Sequence, residues 1–336
     1  MRIAVTGAAG YLGVNLVNLL VAEGHEVVAI DRAASAEPAA DAVAWVPGDV
    51  LDETRMAELL TGCDRVFHLA SRITLAERDD EAWHLNTAGV SSVASAAMRA
   101  GVPRMVHCSS VHAFDQARCH GPLTEESPRA DRAELPVYDR SKYAGEVALR
   151  RWIDDGLDAV IVNPTGLYGP VDNPARLSRV NRMILDAARG RVPASVAGGF
   201  DFVDVRDAAR GMVLAAERGR RGENYLLSGE FVTIHQMLAT AANLAGRRGP
   251  IAPVPLSVVR AILPIAEPIG RALGDDAVSE ASVAALASGR RVDGSKARTE
   301  LGYRPRSAGH TIRDMVVFLV RQGAVARVPV TAPGIR

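Results

Sequence analysis

Ile3-Ala4-Val5-Thr6-Gly7-Ala8-Ala9-Gly10-Tyr11-Leu12-Gly13 sets an apolar run, a glycine-rich turn and the start of a helical pattern in direct succession. Ile3–Val5 reads as a buried strand. Tyr11–Glu23 reads as an amphipathic helix stopped by Gly24. The three glycines have separate duties in such a turn. Gly7 permits the tight bend, Gly10 lets the backbone approach a pyrophosphate, and Gly13 lets helix and strand pack closely. A phosphate there meets the N–H groups and the positive end of the helix. With a strand before it and a helix after it, the stretch predicts a dinucleotide loop built from Gly7, Ala9, Gly10, Tyr11, Leu12 and Gly13.

The same alternation continues outward. Val27–Ile30, Val43–Val46, Val66–Leu69 and Met105–Cys108 read as further buried strands. Thr54–Leu60 and Glu81–Ala100 read as helices, with Gly62 and Gly101 as stops. Near-continuous apolar strands separated by helices predict an α/β fold, a Rossmann-type doubly wound parallel sheet. Asp158–Val162 is a candidate sixth strand. After Pro164, prolines and glycines grow denser. The pattern predicts a dinucleotide-binding domain over 1–165 and a smaller C-terminal substrate-binding lobe over 166–323. The chain is expected to return to the main sheet near 200–217, and a loose tail to follow from Ala324. Asp31 closes the second strand, where an acid can hold both ribose hydroxyls and repel a 2′-phosphate. That favours NAD over NADP, with Arg32 as the residue that would reverse the preference. Asp49 and Val50, after the third strand, are placed for the adenine.

Only two lysines, Lys142 and Lys296, occur among 39 basic residues. Lys142 follows Tyr138 by four positions in Tyr138-Asp139-Arg140-Ser141-Lys142. On a helix such a pair shares one face. A nearby cation stabilises phenolate, so the spacing predicts a tyrosine held toward neutrality as a general acid or base. Net charge is zero, with no basic field for nucleic acid or anionic membrane. The apolar stretch Ile251–Leu273 is broken by Arg260, Glu267 and prolines, and is expected not to span a bilayer. Cys63, Cys108 and Cys119 form no metal-like spacing and read as reduced packing thiols. No metal is expected. With no apolar leader ahead of Ile3, they suggest a cytoplasmic protein.

Together these pieces resemble the extended short-chain dehydrogenase/reductase family, also described as the NAD-dependent epimerase/dehydratase family. The resemblance runs over roughly residues 1–320 and adds His68-Leu69-Ala70-Ser71, Ser109-Ser110, Asn163-Pro164-Thr165-Gly166-Leu167-Tyr168-Gly169-Pro170, Phe202-Val203-Asp204-Val205-Arg206-Asp207 and Asp293–Pro305. It implies that Tyr138 is the proton donor or acceptor. Lys142 would lower its pKa and bind the nicotinamide ribose, and Ser110, the last of its serine run, would bond the reacting oxygen. Leu69, Ala70 and Ser71 would line the ribose and nicotinamide side, and Pro164 would shape the nicotinamide pocket. His112 and Tyr168 are candidate substrate contacts beside Ser110 and Tyr138. Nucleotide-sugar members carry an arginine where Phe200 stands, and an Arg-Pro-Gly-Asp run where Ser288-Gly289-Arg290-Arg291-Val292 stands. Dehydratases carry Asp-Glu where Val111-His112 stands. The pattern looks closer to the dihydroflavonol reductase and 3β-hydroxysteroid dehydrogenase branch. It implies an NAD(P)-dependent oxidoreductase acting on a partly apolar alcohol or ketone. A sugar-nucleotide epimerase is the alternative. Family members commonly pair as homodimers through the helices holding Ala94, Ala96, Ala97, Ala144 and Ala148, and the same pairing is expected here.

Overall fold

Four consecutive buried residues, Ile3 to Thr6, make β1 (Arg2–Thr6) a strand covered on both faces. The structure, a computed structural model, describes residues 1–32, 42–74, 76–173, 175–272, 283, 286–287 and 289–326, and of 265–272 the backbone alone. Ser288, Leu273 and the expected tail beyond Ala326 lie outside the described residues.

The chain forms two units. The first comprises Met1–Leu167, Val203–Gly229 and Arg290–Pro305. Its sheet has seven strands in the order β10-β6-β5-β4-β1-β2-β3. Here β2 is Glu26–Asp31, β3 Val43–Pro47, β4 Arg65–His68, β5 Arg104–Cys108, β6 Ala159–Pro164 and β10 Asn224–Leu227. Every pairing in it is parallel.

Successive strand side chains point to opposite faces, and the two cores follow that rule. Ile3, Val5, Val27 and Ala29 pack with Leu12, Leu16 and Leu20 of α1 (Tyr11–Ala22) and with Met212 and Val213 of α6 (Val205–Arg218). Ala4, Val28 and Ile30 pack on the other face. Their partners are Met56 and Leu60 of α2 (Glu53–Leu60), Val93 and Ala97 of α3 (Asp80–Arg99), and Leu149 and Ile153 of α4 (Val137–Asp154). Each fully buried aliphatic side chain of this kind stabilises by about 1.5–3 kcal/mol. Gly145 brings α3 and α4 together, since a Cβ there would lie 2.4 Å from the Asn86 carbonyl oxygen.

In this unit two details differ from the sequence reading. The stretch around Phe202 does not join the main sheet. It belongs to β9 (Gly199–Asp204), which lies between β11 (Glu230–Thr233) and β7 (Gly166–Tyr168) in a separate three-stranded sheet. The return to the main sheet is made by α6 and by β10, which adds beside β6. Ala94, Ala96 and Ala97 are fully buried in the chain's own core against the sheet. Those three alanines therefore offer nothing to a second copy.

The second unit comprises Tyr168–Phe202, Glu230–Gly289 and Arg306–Arg336. Its core joins Ile184 and Leu185 of α5 (Arg179–Ala188), Met237 and Leu238 of α7 (Ile234–Leu244), and Ile312, Met315 and Leu319 of the helix Ala308–Arg321. Val325, expected in a loose tail, is buried in this core at 5% exposure. A short parallel pair, β8 (Ser195–Val196) with β12 (Pro253–Val254), precedes α8 (Leu256–Ala272). No described helix is long and apolar enough to cross a membrane.

Candidate active site

The residues singled out for chemistry in the first unit gather at the carboxyl ends of its strands, where open α/β sheets bind ligands. After β1, Gly7 has φ +72, a backbone conformation that favours glycine. A Cβ on Gly7 would lie 2.6 Å from the Ala70 nitrogen, so the glycine loop touches the turn after β4 backbone to backbone. A Cβ on Gly13 would lie 2.3 Å from the Gly7 carbonyl oxygen. The N-cap of α1 is Gly10, which has no side chain to occupy the helix end. That end is left for an anion.

Beside the loop lies a cavity of about 160 Å³. Its walls include Gly7, Gly10, Asp31, Arg32, Asp49, Val50, Leu69, Ala70 and Ser71. Gly48, next to Asp49 and expected beside the adenine with it, also lines it, and Ile30 and Leu85, which the sequence reading did not single out for the site, complete it. The Asp31 carboxylate closes the end of β2 and accepts the Ala9 N–H at 3.0 Å. Arg32 is mostly exposed and 3.9 Å from Glu81, which leaves its direction loosely fixed. Asp49 accepts the Leu51 N–H at 2.9 Å, whereas the helix-start cap of α2 is Asp52. This donor set, a capless helix end, a terminal carboxylate and a side-chain-free cradle, fits a nicotinamide dinucleotide. Ser71 and the adjacent Arg72 backbone are held by Asn86 of α3, whose Oδ1 accepts from both at 3.0 and 2.9 Å. Asn86 in turn donates to Ser141 of α4 at 2.9 Å. No local signal marked it, because the residues it joins are far apart in sequence.

At the end of β5 the chain passes Ser109 and Ser110 into a single 3₁₀ turn, Val111–Ala113. Ser110 Oγ caps that turn by accepting the His112 N–H at 3.2 Å. Its own proton is then free to be donated, and the hydroxyl lies near enough to Tyr138 to hold that phenol's pKa down. Ser109 Oγ, by contrast, is buried with no hydrogen-bond partner among the described residues. Tyr138 and Lys142 lie one turn apart on α4. Lys142 is 3% exposed and its Nζ donates to the Cys108 carbonyl at 2.9 Å. Burial lowers the Lys142 pKa, with Cys108 and Glu146 opposing it. Burial also pushes the Tyr138 phenol up, and the nearby Ser110 hydroxyl only partly offsets this. The expectation that Lys142 holds the phenol toward neutrality is therefore corrected. The net shift is upward, and the ammonium is occupied by a carbonyl. Pro164 is buried at the end of β6.

His112 and Tyr168 part company. The His112 ring lies 5.4 Å from that of Tyr138, and its Nδ1 is 2.9 Å from Asp139 Oδ1. Burial disfavours charge on this imidazole, but the carboxylate outweighs it and the pKa is raised. Tyr168 is 1% exposed and packs on Phe202 in the core of the second unit.

Behind the site are groups that spacing did not reveal. His68 and His107, register partners on β4 and β5, stack at 5.4 Å. Burial, reinforced by the Lys142 charge, brings His68 down to about 3 and lowers His107 too, so both stay neutral. The Glu146 side chain, one turn beyond Lys142, is buried. Its carboxylate accepts from Asn163 at 2.7 Å and Asn224 at 3.0 Å and lies 3.2 Å from Arg129. Asn163 also donates to the Ser110 carbonyl at 3.0 Å. The buried carboxylate thus fixes the backbone of the serine through one amide.

A family model described as the NAD dependent epimerase/dehydratase family matches residues 3–228. "Sterol demethylase protein B" of Methylococcus capsulatus is 35% identical over 336 residues, covering 97% of this chain and 100% of that protein. The "4-hydroxy-2-methyl-3-oxo-4-farnesyl-3,4-dihydroquinoline-1-oxide ketoreductase" of Stigmatella aurantiaca is 32% identical over 337 residues, covering 97% of each. The crystal structure of gox2253 is similar with a TM-score of 0.82 at 29% identity, covering 96% of this chain and 99% of that one.

Proposed function

The chain belongs to the NAD-dependent epimerase/dehydratase family, and we propose that it is an NAD(P)-dependent oxidoreductase of the extended short-chain dehydrogenase/reductase type, exchanging hydride with a small, partly apolar alcohol or ketone. The observation that carries this reading is the placement of Ser110, at the end of β5, near Tyr138, with Lys142 one turn along the same helix and bonded to the Cys108 carbonyl. NAD, held by the glycine loop and Asp31, supplies the hydride chemistry when bound.

The protein's part is orientation and proton handling. As a carbonyl is reduced, negative charge grows on its oxygen. Ser110, with one lone pair already taken by the His112 N–H, points its proton at that oxygen. Tyr138 gives up its proton to the same oxygen. A phenol pushed up by burial is a poor source of phenolate but stays protonated and ready to donate, which suits the reductive direction. Lys142 would leave the Cys108 carbonyl to hold the ribose hydroxyls, and its charge would then favour phenolate after the proton has gone.

Phe200 supports an apolar substrate. Where an arginine would grip a diphosphate, this ring packs edge-on against Phe202 at 5.8 Å. The names of the two relatives, one for sterol demethylation and one for a farnesylated ketone, point the same way. Asp31 favours NAD over NADP. A cytoplasmic homodimer belongs to the same proposal, with Trp83, Met98 and Val147 as the exposed apolar residues of α3 and α4. Light scattering at micromolar concentration tests it, and a monomer mass would remove it.

NADH absorbance followed across a panel of ketones and nucleotide sugars tests the function. Stoichiometric NADH loss with an apolar ketone is expected. Conversion of a nucleotide sugar without net NADH change would make the protein an epimerase instead.

A further inference from the structure

His112 is placed beside Tyr138 in a way that the hydride chemistry does not use. Its backbone N–H holds Ser110 Oγ. Its ring lies against the Tyr138 ring, 5.4 Å centre to centre and tilted by 59°. Its Nδ1 is taken by Asp139, the residue next to Tyr138 on α4, at 2.9 Å. Asp139 is itself only 20% exposed, so the carboxylate is a fixed partner for this nitrogen, and 42% of the imidazole side chain stays open. With Nδ1 occupied, Nε2 is the polar atom left to meet something from outside the chain. A histidine kept for packing alone would not need a carboxylate to orient it, nor be left this accessible.

We propose that His112 is a specificity-determining residue, held by Asp139 so that Nε2 donates to a second oxygen of the substrate on the carbon next to the reacting carbonyl. The preferred substrate class is then a 1,2-dioxygenated ketone, such as a diketone or keto acid, over a simple ketone. An oxygen acceptor suits this imidazole because the Asp139 carboxylate makes it carry a proton more readily than usual. The two rings are close enough for one small fragment to reach both Tyr138 and His112. The inference rests on Tyr138 marking the reacting carbonyl. Asp139 acts through His112 and is a positioning residue.

Calorimetry on the protein saturated with NAD tests it, because an oxidised cofactor and a ketone bind without reacting. The probes are 1-phenyl-1,2-propanedione and 1-phenyl-1-propanone, which differ by the second carbonyl. One hydrogen bond gained with the second carbonyl predicts that the wild type binds the dione about tenfold more tightly. His112→Phe should bring the ratio to within about twofold, and His112→Gln, which keeps a donor, should fall between. Asp139→Asn should lose part of the preference, and the double change with His112→Phe should lose no more than His112→Phe alone. A wild type that binds both ketones equally overturns the proposal, as does a His112→Phe protein that keeps the full preference. Turnover of Tyr138→Phe with NADH is read separately. If that variant stays active, the catalytic reading fails while the binding ratio still reports on His112.

Discussion

Replacing Asn163 by alanine tests whether the buried carboxylate network holds the serine in place. Asn163 is fully buried and makes three hydrogen bonds. Its Nδ2 reaches Glu146 at 2.7 Å and the Ser110 carbonyl at 3.0 Å, and its Oδ1 accepts from Asn224 at 2.8 Å. Truncation removes all three. A hydrogen bond to a charged acceptor is worth about 1.5–3 kcal/mol and a neutral one about 1 kcal/mol. Glu146 keeps Asn224 at 3.0 Å and Arg129 at 3.2 Å, so the charge is not abandoned. The expected loss is therefore roughly 3–5 kcal/mol, or on the order of 10 °C in Tm for a unit of this size. The Ser110 backbone also loses its tether, and displacement of a reacting group by about 1 Å costs up to about 100-fold in rate. Differential scanning calorimetry and steady-state kinetics are the assays. Tm should fall by about 10 °C and kcat by about 10- to 100-fold. The KM for NAD should change by less than about threefold, because the glycine cradle is not touched. A variant with Tm within about 2 °C of wild type and an unchanged kcat would refute the reasoning.

Other substitutions test other parts of the site. Gly13→Ala places a Cβ 2.3 Å from the Gly7 carbonyl and 2.7 Å from that of Ala8, so calorimetry should find NAD affinity reduced by about 100-fold or more, with overpacking costing about 1–3 kcal/mol of stability. Asp31→Ala should weaken NAD and relax its advantage over NADP, since it removes both the ribose acid and the acceptor of the Ala9 N–H at 3.0 Å. A wild type that prefers NADP would give the choice to Arg32. The raised pKa of His112 means that its pair with Asp139 contributes stability fully below the ordinary value of 6.5 and loses it as pH rises through the folded value. Asp139→Asn should accordingly cost on the order of 0.5 kcal/mol in urea unfolding near pH 5.5, a small figure for an imidazole this open, and nothing measurable near pH 9.

The parts of this protein legible in its sequence are the local ones. The β1–α1 turn can be read because every residue it needs lies within eleven positions, Ile3 to Gly13. Tyr138 and Lys142 are readable because one helical turn joins them. The inner strands of the sheet show as apolar runs because both of their faces are covered, whereas β3, read as a buried strand, lies at the sheet edge and is only partly buried. What escapes depends on contacts between distant residues. Asn224 meets Glu146 across 78 positions and Asn163 across 61, and Asn86 meets Ser141 across 55. Nothing local in Asn224–Leu227, four residues long, says which sheet it enters, and Phe202 enters a different sheet from the expected one for the same reason. The direction of the Tyr138 shift escapes the sequence because spacing reveals the nearby cation but not the burial that outweighs it, nor the Cys108 carbonyl that takes the ammonium.

In the proposed mechanism Tyr138 supplies the proton while the glycine loop and Asp31 hold NAD. Tyr138→Phe removes only the hydroxyl, and its NAD affinity and its NADH turnover with a reducible ketone can be measured on the same preparation. The variant should keep wild-type NAD affinity while its turnover falls by about 100-fold or more. Near wild-type turnover would contradict it, leaving the glycine loop as a cofactor site without this acid.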